Sequence, residues 1–135
     1  MITPWQFLKK AAELGRLPQA LLFYGPSEGE KMSVALEFVK LVNGPGALEG
    51  VRPDLALIEP QEDKEIKIAQ IRELHSKLSL KSYSAPFKMA IINQAHYLNQ
   101  EAQSAFLKLL EEPKGDTIFI LITQYPEMLL PTILS

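Results

Sequence analysis

Cysteine is missing from this chain of 135 residues, and its absence excludes several kinds of chemistry at once. Without a thiol the chain can form neither a disulfide nor a thiolate nucleophile, and it cannot bind zinc through sulfur. We therefore expect no zinc, and the composition fits a cytoplasmic protein. Long apolar runs are missing too. None approaches the roughly 18 residues that a membrane helix needs, so we expect no membrane contact.

Strong charge of either sign is also lacking. The formal net charge is −2 at pH 7, so no strong overall field attracts nucleic acid, and such contact would depend on a local basic patch. With 47% hydrophobic and 22% charged residues, the chain has the composition of a folded protein. Its length suits one domain over residues 1–135, with one sizeable core.

Short apolar runs that alternate with amphipathic segments indicate the fold class. Four runs have the character of strands and occupy residues 20–25, 54–60, 88–95 and 117–123. Helices are predicted from Thr3-Pro4 to Gly15, over about 31–42, along the apolar stripe Ile68, Ile71, Leu74 and Leu78, and from the capping Asn99 to Pro113. This alternation predicts an α/β fold of three layers, with a parallel sheet whose first strand is buried on both faces. Ligands of such sheets bind at the carboxyl ends of the strands.

The stretch "YGPSEGEKMS" (24–33) follows the first predicted strand and has the outline of a phosphate-binding loop. A working loop reads G-x-x-x-x-G-K-[ST]: its amides hold phosphates, its lysine reaches the outer phosphates, and its hydroxyl binds magnesium. Gly25 and Lys31 stand at the required separation, with Gly29 between them. Glu30 replaces the second glycine of the pattern, however, and Met32 replaces the hydroxyl residue.

Both replacements oppose nucleotide binding. A carboxylate about 5 Å from a phosphate charge costs about 3 kcal/mol at an effective dielectric near 20, which is on the order of a hundredfold in affinity. Met32 offers magnesium only a soft sulfur atom. We therefore expect ATP or ADP binding to be weak or absent, and no bound metal. Taken alone, the stretch is equally well explained as a turn that resembles a phosphate loop by chance.

The end of the third predicted strand lacks the acid pair of active nucleotide hydrolases, in which one carboxylate orients magnesium and the other activates water. Asn93 and Gln94 stand there instead, and amides neither accept a proton nor balance the charge of a metal. No Ser-His-Asp or metal-ligand set stands out in the sequence. We expect His75 and His96 at the surface or at helix caps, and the carboxylates of residues 111–112 at a helix end near solvent.

Four segments together resemble one protein family. They are "PQALLFYGP", "IAQIRELHSKL", "KMAIINQAHYLNQEAQSAFLKLLEEP" and "TIFILITQYPEMLLPTILS". These segments are similar to the N-terminal ATPase-like domain of delta-prime subunits of the bacterial DNA polymerase III clamp loader, and more widely to gamma/tau and eukaryotic replication factor C subunits. The resemblance runs from about Trp5 to Ser135, and its most specific part is "AQSAFLKLLEEP" followed by an apolar strand and "LLPTILS".

The resemblance implies a P-loop NTPase fold of the AAA+ class with five parallel strands in a three-layer αβα arrangement. Glu28 stands where motor subunits prefer a glycine in the loop, and Thr123 stands where a sensor residue lies near the γ-phosphate. Delta-prime subunits are often non-hydrolysing, so the degenerate loop and the amide pair favour that branch over gamma/tau.

Four further expectations follow from the resemblance. The family often has a four-cysteine zinc module after the second helix, and the cysteine-free "VNGPGALEGVRPD" implies that it is absent. An arginine that reaches a neighbouring subunit's ATP site would come directly after Ser135, and the fifth strand would be truncated. The lid and collar domains are expected to be absent from this chain.

We therefore interpret the chain as a delta-prime-like subunit of the clamp loader, with no catalytic residues and no ATPase activity of its own. It would belong to a DNA-directed DNA polymerase holoenzyme, a nucleotidyltransferase. The implied partners are the gamma/tau and delta subunits and, through the complex, primer-template DNA and the sliding clamp. The alternative is a weakly active or nucleotide-binding gamma/tau-like ATPase, and a third interpretation is a domain used for protein contacts unrelated to replication.

Arg72, Lys77 and Lys81 lie on the third predicted helix and the turn after it, where they could contact DNA phosphates. A solvated basic face balanced by Glu65 and Glu73 explains the same residues equally well.

Overall fold

Helices and strands alternate along the chain as the sequence predicts. The computed structural model describes residues 4–25, 28–48, 54–80, 86–112 and 116–129. The elements are α1 Pro4–Glu13, β1 Ala20–Tyr24, α2 Glu28–Asn43, β2 Leu55–Ile58, α3 Ile68–Leu78, β3 Lys88–Ile92, α4 Gln100–Glu111 and β4 Thr117–Thr123, with short 3₁₀ helices at Ala95–Tyr97 and Pro126–Met128. None of the helices in these ranges is long and apolar enough to cross a bilayer.

The four described strands form one parallel sheet in the order β1-β4-β3-β2. β4 lies between β1 and β3, and its register pairs Thr123 with Tyr24 of β1 and Leu121 with Ile92 of β3. Connections between parallel strands must cross over the sheet, and helices make these crossovers here. The predicted three-layer α/β fold is therefore confirmed, whereas the expected fifth strand lies outside the described residues.

The two faces of the sheet carry two separate apolar cores, because successive side chains of a strand point to opposite faces. Phe119 and Leu121 of β4 pack toward α3 and α4, whereas Ile120 and Ile122 pack toward α1 and α2. On the first face the ring of Phe106 in α4 meets Phe119 edge-on, with 5.4 Å between the ring centroids. Both rings are fully buried, so this pair fixes α4 against the centre of the sheet.

The apolar stripe predicted for α3 is confirmed in its main part. Ile71, Leu74 and Leu78 are buried in the core between α3, α4 and the sheet, and Ile68 is partly buried. Their spacing of three and four residues places them on one side of the helix.

The prediction that β1 is buried on both faces is wrong. Ala20 and Tyr24 are exposed, Tyr24 to 65%, and the residues between them are only partly buried. The physical reason is position, because β1 lies at the edge of the four described strands and pairs with β4 alone among them. β4 itself is buried along its whole length.

Helix α4 begins where the sequence predicts, at a capping asparagine. The side-chain oxygen of Asn99 accepts a hydrogen bond from the backbone N–H of Ala102 at 2.8 Å, which satisfies one of the free donors of the first helical turn. The side-chain amide of Asn99 also donates to the carboxylate of Glu65 at 2.7 Å, which ties the start of α4 to the segment before α3.

We predict that Asn99→Ala lowers the free energy of unfolding by about 1–2 kcal/mol, because the mutant loses the cap and the contact with Glu65. Asn99→Ser keeps a capping oxygen and should lie between Asn99→Ala and the wild type. Ser104→Ala, at an exposed position inside α4, serves as the control and should change stability by less than about 0.5 kcal/mol. Urea denaturation measures all three, and equal stability of Asn99→Ala and the wild type would contradict the prediction.

Candidate nucleotide pocket

The carboxyl ends of β1, β4 and β3 meet at one edge of the sheet, where ligands of such folds bind. Gly25 follows β1, Thr123 is the last residue of β4, and Asn93 follows β3. Thr123 pairs with Tyr24, and Asn93 comes directly after Ile92, which pairs with Leu121. The sheet therefore brings together the three places where the sequence predicts the remnants of a nucleotide site.

Gly25 and Lys31 are in close contact, although five residues separate them in the chain. Gly25 has a φ of +132°, a conformation that side-chain-bearing residues rarely adopt. A Cβ atom built on Gly25 would lie 3.1 Å from Nζ of Lys31 and 3.2 Å from its Cε. The ammonium group of Lys31 thus occupies the space beside the glycine backbone, and the φ of Gly25 is what favours glycine at this position.

Helix α2 begins at Glu28, three residues before the start predicted from Lys31. The first turn of α2 therefore includes Gly29 and Glu30, which in a working loop would belong to the phosphate cradle. Both residues are exposed. An acidic residue in the first turn of a helix interacts favourably with the positive end of the helix dipole, which explains the earlier start. Ser33 donates its hydroxyl to the carbonyl of Gly29 at 3.2 Å, one turn back in the same helix.

Met32 occupies the position where a working loop has a magnesium-binding hydroxyl. Its side chain is partly buried and packs against the core between the sheet and the helices α1 and α2. The residue is therefore an apolar part of the core, and it provides no oxygen to the edge of the sheet.

The amide pair that follows β3 is held by contacts within the chain. The side-chain amide of Asn93 donates to the carboxylate of Glu59 at 3.3 Å, and its side-chain oxygen accepts from the backbone N–H of Gln94 at 3.0 Å. Gln94 has a φ of 52° and a ψ of 51°, a left-handed conformation that is strained in a residue other than glycine. Glu59, which follows β2, is a carboxylate at this edge that the sequence analysis did not single out. Its place after a short apolar strand is the signal that could have identified it.

Thr123 is fully buried, and its hydroxyl group has two partners. Oγ1 accepts a hydrogen bond from the backbone N–H of Tyr125 at 2.9 Å and lies 2.8 Å from Nδ1 of His96. The prediction that His96 lies at the surface or at a cap is wrong, because its side chain is only 8% exposed. The imidazole ring lies beside the rings of Tyr97 and Tyr125, with centroid distances of 4.3 and 5.0 Å.

The residues at this edge do not fit a magnesium ion. In the ranges that the structure describes, no group of three or more His, Asp or Glu side chains could hold a metal. The hard oxygen ligands that magnesium prefers are replaced by Met32 in the core and by the amides of Asn93 and Gln94. Lys31 and the start of α2 carry groups that can attract a phosphate.

A pair of groups with shifted pKa values lies in a different part of the molecule. A hydrogen bond from the Lys67 ammonium lowers the pKa of the Asp63 carboxyl, and the same contact raises the pKa of Lys67. The two groups are 2.7 Å apart in the segment that precedes α3, and both are well exposed.

Arg72 and Lys77, the two described residues of the predicted DNA contact, lie on different sides of α3. Arg72 is exposed and lines a groove of about 520 Å³ between α3 and α4, opposite Lys108 of α4. Lys77 is rotated from Arg72 by about 140° around the helix axis, and its Nζ donates to the carbonyl of Leu55 in β2 at 3.2 Å. Lys81 lies outside the described residues. Arg72 and Lys108 are therefore the basic pair that this groove presents.

The other histidine singled out in the sequence and the carboxylates of residues 111–112 are exposed. His75 lies on α3 at the same groove, which agrees with the prediction of a surface position. Glu111 and Glu112 lie at the end of α4 and are both exposed, as predicted.

Comparison with known proteins shows which family this sequence matches. Residues 3–135 match the family described as "DNA polymerase III, delta subunit". Delta-prime subunits of DNA polymerase III from Pseudomonas aeruginosa and Bacillus subtilis are 33% and 35% identical to the chain and cover 99% and 96% of it. The chain spans 46% and 44% of their lengths, less than half of each. A tau subunit of DNA polymerase III from Bacillus subtilis is 31% identical over 95% of the chain, which covers 25% of that protein.

A solved structure shows the same fold. The crystal structure of a gamma subunit-related protein of DNA polymerase III from Thermotoga maritima superimposes with a TM-score of 0.81 at 28% identity. The match covers 98% of this chain and 43% of that protein. Since sequence and fold agree over nearly all of its residues, the chain belongs to the DNA polymerase III delta subunit family, as an AAA+ domain of the clamp-loader type.

Proposed function

We propose that the chain is a delta-prime-like module of the DNA polymerase III clamp loader that does not hydrolyse ATP by itself. It would act in the cytoplasm as a structural and regulatory part of the polymerase holoenzyme. Its partners would be the gamma/tau and delta subunits, and it would meet primer-template DNA and the sliding clamp through the assembled complex. The names of the relatives support this assignment.

One observation carries the non-hydrolysing part of the proposal, namely the chemistry at the carboxyl end of β3. ATP hydrolysis in this fold requires a metal ligand and a group that positions the attacking water. The side-chain amide of Asn93 donates a hydrogen bond to Glu59, and its side-chain oxygen accepts one from the N–H of Gln94. Asn93 therefore links the residues that follow β2 and β3. Met32, which packs in the core, supports the same conclusion from the side of the loop.

A module of this kind would act by presenting a rigid surface to other subunits and would not need to hydrolyse ATP. Two buried cores hold the sheet and its helices, and the polar groups at the sheet edge are engaged within the chain. Such a domain can present a fixed surface to a neighbouring motor subunit without a nucleotide cycle of its own. In the full-length protein, an arginine supplied to a neighbour's ATP site would stabilise transition-state charge there, an effect of roughly 10³–10⁵ in rate.

Three observations favour the alternative, a weakly active or nucleotide-binding gamma/tau-like subunit. Lys31 retains the position of the loop lysine against Gly25. Glu59 places a carboxylate 3.3 Å from Asn93, near the place where an active enzyme has its acid pair. Identity to a tau subunit, 31%, is also close to the identity to delta-prime subunits.

We predict that the purified full-length protein shows no magnesium-dependent turnover of ATP above background, because Met32, Asn93 and Gln94 stand where active enzymes of this layout have a magnesium-binding hydroxyl and an acid pair. Lys31→Ala should then leave the rate at background. A coupled phosphate-release assay with a gamma/tau subunit as the positive control makes the measurement.

Lys40→Ala, on the same helix but away from the loop, is the matched control. Steady turnover that Lys31→Ala and Glu59→Gln abolish, and that Lys40→Ala leaves intact, would establish the gamma/tau-like alternative instead.

We further propose that Arg72 provides a phosphate contact when the assembled complex binds primer-template DNA. Two observations support this proposal. Arg72 is exposed, and it lines the groove together with Lys108. Lys77 contributes less in this proposal, because its ammonium group donates to the carbonyl of Leu55.

Arg72→Glu should weaken DNA binding by the reconstituted complex and reduce the slope of log K against log salt concentration by about one, since one phosphate contact is lost. Lys9→Glu makes the same change of charge on α1, in the opposite helix layer, and should leave the slope unchanged. Fluorescence anisotropy at several salt concentrations gives both slopes. Equal slopes for the two variants would show that the basic residues of α3 are only a solvated surface.

A further inference from the structure

The outer edge of β2 is the side of the sheet opposite to β1. β2 is the last strand in the order β1-β4-β3-β2, and among the described strands it pairs with β3 alone. The carbonyls of Asp54 and Ile58 accept hydrogen bonds from backbone N–H groups of β3 and the residue after it. In a parallel pair the peptide groups of alternate residues bond to the same neighbouring strand. Those of Leu55, Leu57 and Glu59 therefore point away from β3.

Helix α3 covers both ends of this edge with side-chain donors. Nζ of Lys77 donates to the carbonyl of Leu55 at 3.2 Å, and Nε2 of Gln70 donates to the carbonyl of Glu59 at 2.8 Å. Residues seven apart lie on nearly the same side of a helix, about 10 Å apart along its axis. Four residues of a strand span about 13 Å. The two side chains of one helix face thus reach the two ends of the edge.

Leu57 lies between the two covered carbonyls and is itself uncovered. Its side chain is 48% exposed, whereas Ala56 beside it is buried. Within the described ranges, no hydrogen-bond partner reaches the outward N–H and carbonyl of Leu57. A strand edge with free backbone groups and an exposed apolar side chain is a template on which another strand can pair.

We propose that the outer edge of β2 is a pairing surface for a second copy of this chain, and that Lys77 and Gln70 keep this surface closed. Pairs of identical chains are usually related by a two-fold axis. An axis at Leu57 would pair the two edges antiparallel, and the two Leu57 residues would exchange both of their N–H···O bonds. Leu55 of one copy would then lie opposite Glu59 of the other.

The second copy is the occupant that the positions of the two donors indicate. Symmetric pairing about Leu57 needs the carbonyls of Leu55 and Glu59 at its two ends, and these are the carbonyls that α3 occupies. The inference does not depend on the proposed function, because it involves neither nucleotide nor DNA nor another kind of subunit. It also gives Lys77 a role at the edge of the sheet.

Sedimentation equilibrium of the full-length protein measures the dissociation constant of the dimer. Lys77→Met keeps the apolar stem and removes the donor, so the two copies of a dimer no longer have to break two hydrogen bonds. We expect this variant to dimerise about thirtyfold more tightly than the wild type. Lys77→Arg keeps a donor and should behave as the wild type does.

Gln70→Glu tests the other end of the edge with a different side chain. It keeps the oxygen that accepts from the N–H of Lys67 at the start of α3, and it removes the donor to Glu59. At high salt, which screens the added charge, it should also dimerise about thirtyfold more tightly. Lys9→Met, at an exposed position of α1, is the matched control and should leave the dissociation constant unchanged.

Two further measurements locate the contact. Leu57→Lys in the Lys77→Met background places like charges opposite each other at the two-fold axis and should restore the dissociation constant of the wild type. In hydrogen exchange, the amide of Leu57 should be protected in the Lys77→Met dimer and should exchange rapidly in the wild type.

Dissociation constants of the wild type, Lys77→Met and Gln70→Glu within about twofold of one another, or self-association undetectable in all three, would overturn the proposal. An equal gain in Lys9→Met would overturn it too, since the effect would then come from the added methionine. Association that leaves the amide of Leu57 unprotected would also contradict it, because the second copy would be bound at a different surface.

Discussion

The placement of β4 between β1 and β3 is the constraint on which the rest of the structure depends. Its side chains are buried along the whole strand and alternate between the two cores, so a one-residue shift of register would exchange the two sets of contacts. This pairing also brings Gly25, Asn93 and Thr123 to one edge of the sheet. The position of the candidate site is therefore a consequence of core packing, and it persists whether or not the edge retains any chemistry.

Contacts within the chain engage the groups at that edge which would otherwise meet a ligand. Lys31 lies against Gly25, Asn93 bonds to Glu59, and Thr123 bonds to His96. A ligand stabilises the native state by its binding free energy. That binding free energy is reduced by the contacts that the protein must give up when the ligand binds. The hydrogen bonds of Asn93 and Thr123 would have to break before a phosphate could take their place, which lowers that free energy.

Local patterns predicted those parts of the fold that depend on neighbours in sequence. The β-branched run of β4, the capping Asn99 and the apolar stripe of α3 are all found where their spacing places them. The exposure of β1 could not be predicted in this way, because an apolar strand at the edge of a sheet has the same sequence pattern as one at its centre. Only the strand order distinguishes the two. His96 was misplaced for a similar reason. Its partner Thr123 is distant in the sequence, and only the packing of the 3₁₀ helix Ala95–Tyr97 against β4 brings the two together.

The family and the fold depend on one set of residues, and ATP hydrolysis depends on another. The family and the fold follow from the many apolar positions of the two cores, which is why delta-prime, tau and gamma-related proteins all match the chain at similar identity. Hydrolysis depends on very few side chains, whose replacement leaves the cores intact. Core positions tolerate only changes that preserve volume and pattern, whereas an acid at an exposed strand end can become an amide at little cost in stability. Under the proposed function, Met32 and Asn93 would change the chemistry of the sheet edge and leave the two cores, and with them the architecture, as they are in an active relative.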